Sequence, residues 1–215
     1  MRSAMTSTRW GALAFMAGSA LFLANKLDEL SLHLLSRPMP DVISGDSTAL
    51  ILFGQVVFAT GFVAYYRFYA PRLGRVGRFA LGLFAGGGIV LMLGHLTFMR
   101  ALAPVGPLAD GGEASGVEAL YVLVILGGFS MLAGAIAFGV VSLRQPVLAR
   151  WRWLQLATGM ALLGFFALGA EDITVPFLVA RTLLALGLFG LGLAMWLDRP
   201  TPGARAPVGP GSNDG

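Results

Sequence analysis

The amino-acid sequence predicts an all-α polytopic membrane protein, a single bundle of six transmembrane helices with both termini in the cytoplasm. Three observations predict this fold: an apolar composition, six long apolar runs and an alternating distribution of arginine. Hydrophobic residues make up 56% of the 215-residue chain and charged residues only 12%, whereas globular proteins carry about 25% charged residues. The mean hydropathy is +0.77. So few charges cannot cover a water-exposed surface, and most of the outer surface must meet lipid.

The six apolar runs have the length of membrane-spanning helices, which need roughly 17–25 residues to cross about 30 Å of hydrocarbon. The first run is the shortest and leaves two interpretations open. It is either a signal peptide cleaved near residues 18–20 or, as we expect, a retained helix that continues as an amphipathic tail through Leu35. The runs are residues 10–24, 48–66, 79–99, 119–143, 153–170 and 175–197.

Arginine alternates between the two sides of these runs. Acidic residues follow the opposite pattern, since nine of the eleven lie in the segments that are poor in arginine. Basic residues in short loops favour the cytoplasmic side, so the pattern predicts that both termini are cytoplasmic. The side rich in arginine carries Arg2, Arg9, Arg67, Arg72, Arg75, Arg78, Arg144, Arg150, Arg152, Arg199 and Arg205.

Aromatic anchors and a polar tail complete the predicted organisation. Amphipathic rings favour the headgroup layer of a bilayer, and six of them lie at the cytoplasmic ends of the runs. Residues 1–200 form the transmembrane domain. Residues 201–215 are rich in Pro and Gly without an apolar run, so we expect a disordered cytoplasmic tail. The expected anchors are Tyr65, Tyr66, Tyr69, Trp151, Trp153 and Trp196.

Small residues at four-residue spacing predict close contacts between helices. Gly82 and Gly86 form such a pair in the third run, and Ser130 and Gly134 form one in the fourth. Ordinary packing within one monomer is the expected role, and a homodimer face is the alternative. Residues 86–88 are three consecutive glycines, which can instead make a flexible point because glycine weakens a helix by about 1 kcal/mol relative to alanine.

Polar side chains inside apolar runs are costly and usually face the interior of a bundle. Gln55, His95 and Arg181 each lie about 8–10 Å below the outer end of a run, counted at about 1.5 Å per residue. Glu171 and Asp172 lie in the short hairpin above them. The sequence therefore predicts an outward-facing polar pocket for a small anionic or amphiphilic ligand, with Arg181 as its charge partner. In the alternative, Gln55 and His95 only join helices and Arg181 reaches for the interface.

Catalytic and metal-dependent functions find little support in the sequence. The chain has no cysteine and only two histidines, His33 and His95, so thiolate chemistry is excluded and neither a bis-histidine haem site nor a zinc site has a recognisable spacing. We therefore predict no catalytic residue, no metal ligand and no cofactor. The net charge of +4 is spread in short runs, and nucleic acid is not an expected partner because its binding requires basic residues clustered on one face.

Residues 138–169, FGVVSLRQPVLARWRWLQLATGMALLGFFALG, resemble part of the uncharacterised bacterial six-helix integral membrane proteins of the domain-of-unknown-function type. The quoted stretch is 32 of the 215 residues, and the resemblance implies a compact single bundle, with no catalytic residue to transfer. Fourteen of the fifteen basic residues are arginine, which suggests a GC-rich bacterial genome and hence the bacterial inner (cytoplasmic) membrane.

The predicted function is non-enzymatic: a ligand-binding, transport-related or accessory subunit. Membrane lipids, a small anionic or amphiphilic ligand, and a membrane protein partner or a second copy of the chain are the expected partners. A membrane-embedded enzyme acting on a lipid or isoprenoid is the alternative.

Overall fold

Every regular element in the described part of the chain is a helix in this computed structural model, so the all-α prediction is confirmed. The structure describes residues 2–35, 48–102, 114–145, 147–148, 151–168 and 175–198. The predicted tail, residues 201–215, lies outside them. The six α-helices are α1 (Arg2–Leu35), α2 (Thr48–Tyr69), α3 (Arg75–Leu102), α4 (Ala114–Arg144), α5 (Leu154–Leu168) and α6 (Val175–Leu197).

Three helices contain segments that are long and apolar enough to cross a membrane. These segments are Arg75–Gly94 in α3, Val122–Arg144 in α4 and Val175–Leu197 in α6. Two shorter apolar helical segments are Arg9–Ala24 in α1 and Leu154–Leu168 in α5. Helix α1 continues past the apolar run to Leu35, which confirms the predicted extent of the helix; its retention in the mature protein stays a prediction.

The six helices form a closed ring in chain order. Each helix packs against the next one in the chain, and α6 packs against α1. Neighbours run antiparallel: in α1 and α2, Gly18 lies against Phe58 while Phe15 lies against Gly61. Alternate helix ends therefore meet at the same end of the ring.

One end of the ring collects arginine. We call it the basic end; it contains the starts of α1, α3 and α5 and the ends of α2, α4 and α6. All the arginines whose side chains the structure describes lie at the basic end, except Arg181. The opposite end is called the far end. The arginines of the basic end are Arg9, Arg67, Arg72, Arg75, Arg78, Arg144 and Arg152.

A short turn joins α2 to α3 at the basic end. It is a 3-10 helix, Ala70–Arg72, with Pro71 in its first turn, where the missing backbone N–H costs nothing. The Leu73 N–H donates to the Ala70 carbonyl at 3.2 Å, and Arg78 Nε donates to the same carbonyl at 3.3 Å. These bonds fix the turn and orient Arg72 toward the end of α6.

Interlocking aromatic rings fill the bundle in its basic half. We call Phe15, Phe58, Phe62, Tyr65 and Phe84 the aromatic core; all five are 0–1% exposed. Their neighbouring rings have centroids 4.9–5.9 Å apart, the range in which aromatic pairs attract each other. Three helices thus meet around one set of rings.

The glycine contacts agree with the predicted pair of Ser130 and Gly134 and differ from the predicted pair of Gly82 and Gly86. Gly134 of α4 meets the backbone of Phe84, and Gly87 of α3 meets the backbone of Met131. By contrast, no atom lies within 4 Å of the position where a Cβ of Gly86 would be, and only a ring atom of Tyr66, at 3.7 Å, is near that of Gly82. The prediction that Gly82 and Gly86 make a close helix contact within the monomer is therefore wrong, and the alternative of a homodimer face stays a prediction.

The outer surface of the ring is apolar. Large hydrophobic side chains are exposed on every helix, which is unusual for a protein surface in water and normal for one in lipid. The examples with the highest exposure on their helices include Trp10, Phe53, Val76, Leu126 and Leu183.

Candidate functional site

Gln55 and His95 lie at the same height on neighbouring helices. Gln55 precedes Phe62 by seven residues on α2, and His95 follows Gly88 by seven residues on α3. Phe62 and Gly88 are in contact, with a Phe62 ring atom 2.5 Å from the position of a Gly88 Cβ. Because α2 and α3 are antiparallel, both backbone positions lie about 10 Å beyond that contact, toward the far end. Gln55 is half-buried, and the His95 side chain lies outside the described residues.

Arg181 is half-buried on α6, on a different part of the ring. Helix α6 packs against α1 and α5 and makes only a small contact with α2, which carries Gln55. The register of α1 with its two neighbours, taken from the Gly192–Met16 and Gly54–Leu21 contacts, sets Arg181 about 10 Å closer to the far end than Gln55. Arg181 and Gln55 therefore lie at different heights, whereas the sequence predicts one common layer.

Arg181 stands at one end of a row of aromatic rings. Its guanidinium carbon lies 5.1 Å from the centroid of the Phe177 ring, a distance typical of a cation–π interaction. Phe177 stacks on Phe165 at 5.4 Å, Phe165 meets Phe166 edge-on at 5.2 Å, and Phe166 stacks on Phe129 at 5.0 Å. We call these four rings the aromatic row. It joins α6, α5 and α4 in the half of the bundle toward the far end.

Glu171 and Asp172, the predicted acidic rim, lie outside the described residues and stay a prediction. Within the described part of the chain, no group of three or more His, Cys, Asp or Glu residues is placed to hold a metal ion.

A second set of polar groups lies inside the bundle near the basic end. Tyr65 Oη donates a hydrogen bond to Gln155 Oε1 at 3.1 Å, which joins α2 to α5 across the ring. The Tyr65 and Tyr69 rings meet edge-on with centroids 4.9 Å apart. All three side chains are fully buried. We call Tyr65, Tyr69 and Gln155 the interior polar cluster.

The interior polar cluster overturns one sequence-based prediction. Tyr65 and Tyr69 are not interface anchors, because they are fully buried, whereas Trp153 and Trp196 are exposed as expected. The signal that identifies the buried tyrosines is present in the sequence. Phe58, Phe62, Tyr65 and Tyr69 follow each other at intervals of four, three and four residues, the spacing of one helix face directed at a core.

An ion pair closes the basic end beside this cluster. Arg72 donates to Asp198 at 2.6 Å, and the two side chains are 31% and 21% exposed. The Arg72 guanidinium also lies 4.2 Å from the Phe68 ring centroid and 5.5 Å from that of Tyr69. The pair therefore attaches the end of α6 to the turn between α2 and α3. Partly exposed ion pairs contribute at most about 1 kcal/mol, so its main effect is positional.

Comparisons with known proteins give no relative: no protein-family model, curated protein or solved structure matches this chain.

Proposed function

We propose that this protein is a non-enzymatic, multi-pass protein of the bacterial cytoplasmic membrane. In this proposal all six helices cross the bilayer, with the basic end in the cytoplasm. It binds a small anionic amphiphile on its outward side, as a binding protein or accessory subunit. The resemblance to bacterial six-helix membrane proteins is part of the same proposal.

The membrane topology is supported by the ring geometry and by the charge distribution. Three helices have segments that are long and apolar enough to cross a bilayer, and the other three run antiparallel beside them in the same ring. The described arginines, Arg181 apart, collect at one end, which is the distribution that the positive-inside rule associates with the cytoplasmic side.

The filled interior is the observation on which the proposal of binding without conduction depends. The phenylalanines of the aromatic core lie between the interior polar cluster and the height of Gln55. Its rings are buried and in mutual contact. A conducting pathway needs polar or hydrated contacts along its length, so the observed packing favours a protein that binds ligands from one side.

The aromatic row favours an amphiphile over a purely ionic ligand. A fatty-acid-like molecule has an anionic head that a guanidinium binds well and a hydrocarbon chain that packs against rings. Arg181 and Phe177 place these two kinds of surface next to each other. Gln55 and His95 stay the predicted lining of this pocket on the α2–α3 side, and Glu171 and Asp172 stay its predicted rim.

Single-cysteine labelling tests the topology, and the natural absence of cysteine leaves no background reaction. We expect Gly74→Cys and Gln145→Cys, at the basic end, to react with a membrane-impermeant maleimide only in inverted vesicles. Leu35→Cys and Leu168→Cys, at the far end, are expected to react only in intact cells. All four positions are exposed. Reaction of both pairs from one side of the membrane would contradict six crossings.

Dodecanoate is a suitable probe for the pocket. Losing a hydrogen bond to a charged group costs about 1.5–3 kcal/mol, so Arg181→Gln is expected to raise the Kd for dodecanoate about tenfold or more. Arg67→Gln, an exposed arginine at the basic end, is the matched control and should leave the Kd unchanged. Isothermal titration of the purified protein measures both. Equal Kd values for Arg181→Gln and the parent protein would refute the pocket.

A further inference from the structure

The side chains of the interior polar cluster carry more hydrogen-bonding groups than the hydrogen bonds within the cluster can satisfy. Gln155 Oε1 accepts from Tyr65 Oη, but Gln155 Nε2 and Tyr69 Oη are buried without a hydrogen-bond partner in the described part of the chain. Reversing the amide of Gln155 does not remove the excess. Tyr65 Oη then faces the amide nitrogen, and the amide oxygen is left over instead.

Two unmatched polar groups at one place are unusual, because about nine in ten buried polar groups in proteins have a partner. Leaving them unpaired in an apolar interior weakens the fold, since each has given up its bonds to water. The other buried hydroxyl groups of the bundle are satisfied: Thr158 donates to the Leu154 carbonyl at 2.8 Å, and Ser142 donates to the Gly139 carbonyl at 2.8 Å. Tyr69 differs from these hydroxyl groups, because its Oη is buried without a partner in the described part of the chain.

We propose that the interior polar cluster is a binding site for ordered water, which accepts a hydrogen bond from Gln155 Nε2 and bonds to Tyr69 Oη. Water is the ligand that fits. The rings of Phe15 and Phe84 pack against Tyr65, with centroids 5.5 Å and 5.9 Å away, so the apolar side of the cluster is filled and a larger ligand is disfavoured. Buried water typically makes two to four such bonds in proteins, and the cluster offers donors and acceptors on two opposite helices.

The basic end provides the route by which water reaches the site. Tyr69 lies between Tyr65 and Arg72, with its ring 4.9 Å from the first and 5.5 Å from the guanidinium of the second. Arg72 and Asp198 are partly exposed. A continuous path of polar groups therefore leads from the surface inward to Gln155. Beyond Gln155 the apolar rings of the aromatic core block the path. In this proposal water enters from the basic end as far as the first turn of α5.

Nuclear magnetic resonance on the full-length protein detects this water directly. The chain has three glutamines, Gln55, Gln145 and Gln155, so labelling with ¹⁵N-glutamine gives three side-chain amides, and Gln155→Met identifies the third. We expect nuclear Overhauser cross-peaks between the Gln155 amide protons and water, with the sign of a long-lived bound molecule. These cross-peaks should persist in Tyr65→Phe. This variant lacks the Tyr65 hydroxyl proton, which could otherwise exchange with water and produce the same cross-peaks indirectly. Their absence from the parent protein would overturn the proposal.

Stability gives an independent test. If water bonds to Tyr69 Oη, Tyr69→Phe removes a satisfied bond and is expected to lower the Tm by about 2–4 °C. Tyr66→Phe, a half-buried tyrosine on the same helix, is the matched control and should change the Tm by less. The effects of Tyr69→Phe and Gln155→Met should also be non-additive, because both act on the same water. A Tm that rises in Tyr69→Phe would mean that the hydroxyl is simply unpaired, and would refute the site.

Discussion

Replacing Gly134 by alanine is expected to lower the Tm of the purified protein by roughly 6–12 °C. A Cβ at this position would overlap the backbone nitrogen of Phe84 and lie 2.7 Å from the Leu83 carbonyl carbon. Backbone atoms of α3 cannot rotate aside, so the two helices must separate. Overpacking of this kind costs up to about 3 kcal/mol, which corresponds to that shift in a protein of this size. Thermal unfolding followed by tryptophan fluorescence in detergent measures it.

Gly86→Ala is the matched control for Gly134→Ala. It makes the same chemical change in the partner helix α3, at a position where no atom lies within 4 Å of the added carbon. Alanine is a better helix former than glycine by about 1 kcal/mol, so this variant should keep or slightly raise the Tm. Equal losses in the two variants would show that helix flexibility, and not the distance between α3 and α4, determines the effect.

The glycines illustrate what the sequence could and could not predict. Composition and apolar runs predict the helices, because lipid requires each crossing segment to satisfy its own backbone hydrogen bonds. Which face of α3 meets α4 is a different question. Gly82 and Gly86 have the expected spacing, yet the residue in contact is Gly87, one position and about 100° further around the helix. The choice depends on the register between two helices, which no single-helix pattern contains.

The polar residues show the same limit. The sequence groups Gln55, His95 and Arg181 only by their depth along separate helices. The ring places Gln55 and His95 on adjacent helices at one height and Arg181 on α6, beyond α1. Tyr65 and Gln155 are 90 residues apart in the chain and become partners only because α2 and α5 face each other across the ring. The four-three-four spacing of Phe58, Phe62, Tyr65 and Tyr69 indicates a buried helix face, but the preference of tyrosine for membrane interfaces favours the opposite interpretation.

Phe62→Ala is the second change with a large expected effect, a loss of about 3 kcal/mol or more of unfolding free energy. The Phe62 ring contacts Phe15 and Phe58 at 4.9 Å and Phe84 at 5.4 Å between centroids. In a membrane the apolar side chain gains little by leaving water, so the loss comes from the dispersion contacts of the missing ring. Phe79→Ala, on an exposed phenylalanine of α3 (69% exposed), is the control and should cost much less.

A double-mutant cycle with Gly88 separates ring packing from general damage to the bundle. The three atoms nearest to a Cβ on Gly88 all belong to the Phe62 ring, at 2.5, 2.7 and 2.8 Å. Gly88→Ala alone is therefore expected to destabilise the protein by about 1–3 kcal/mol. In the Phe62→Ala background the ring is gone, and the added methyl group occupies part of the space it leaves, so the same change should become neutral or stabilising. A coupling energy of about 1–3 kcal/mol supports the contact, whereas simple additivity of the two losses would contradict the packing of α2 against α3 at this point.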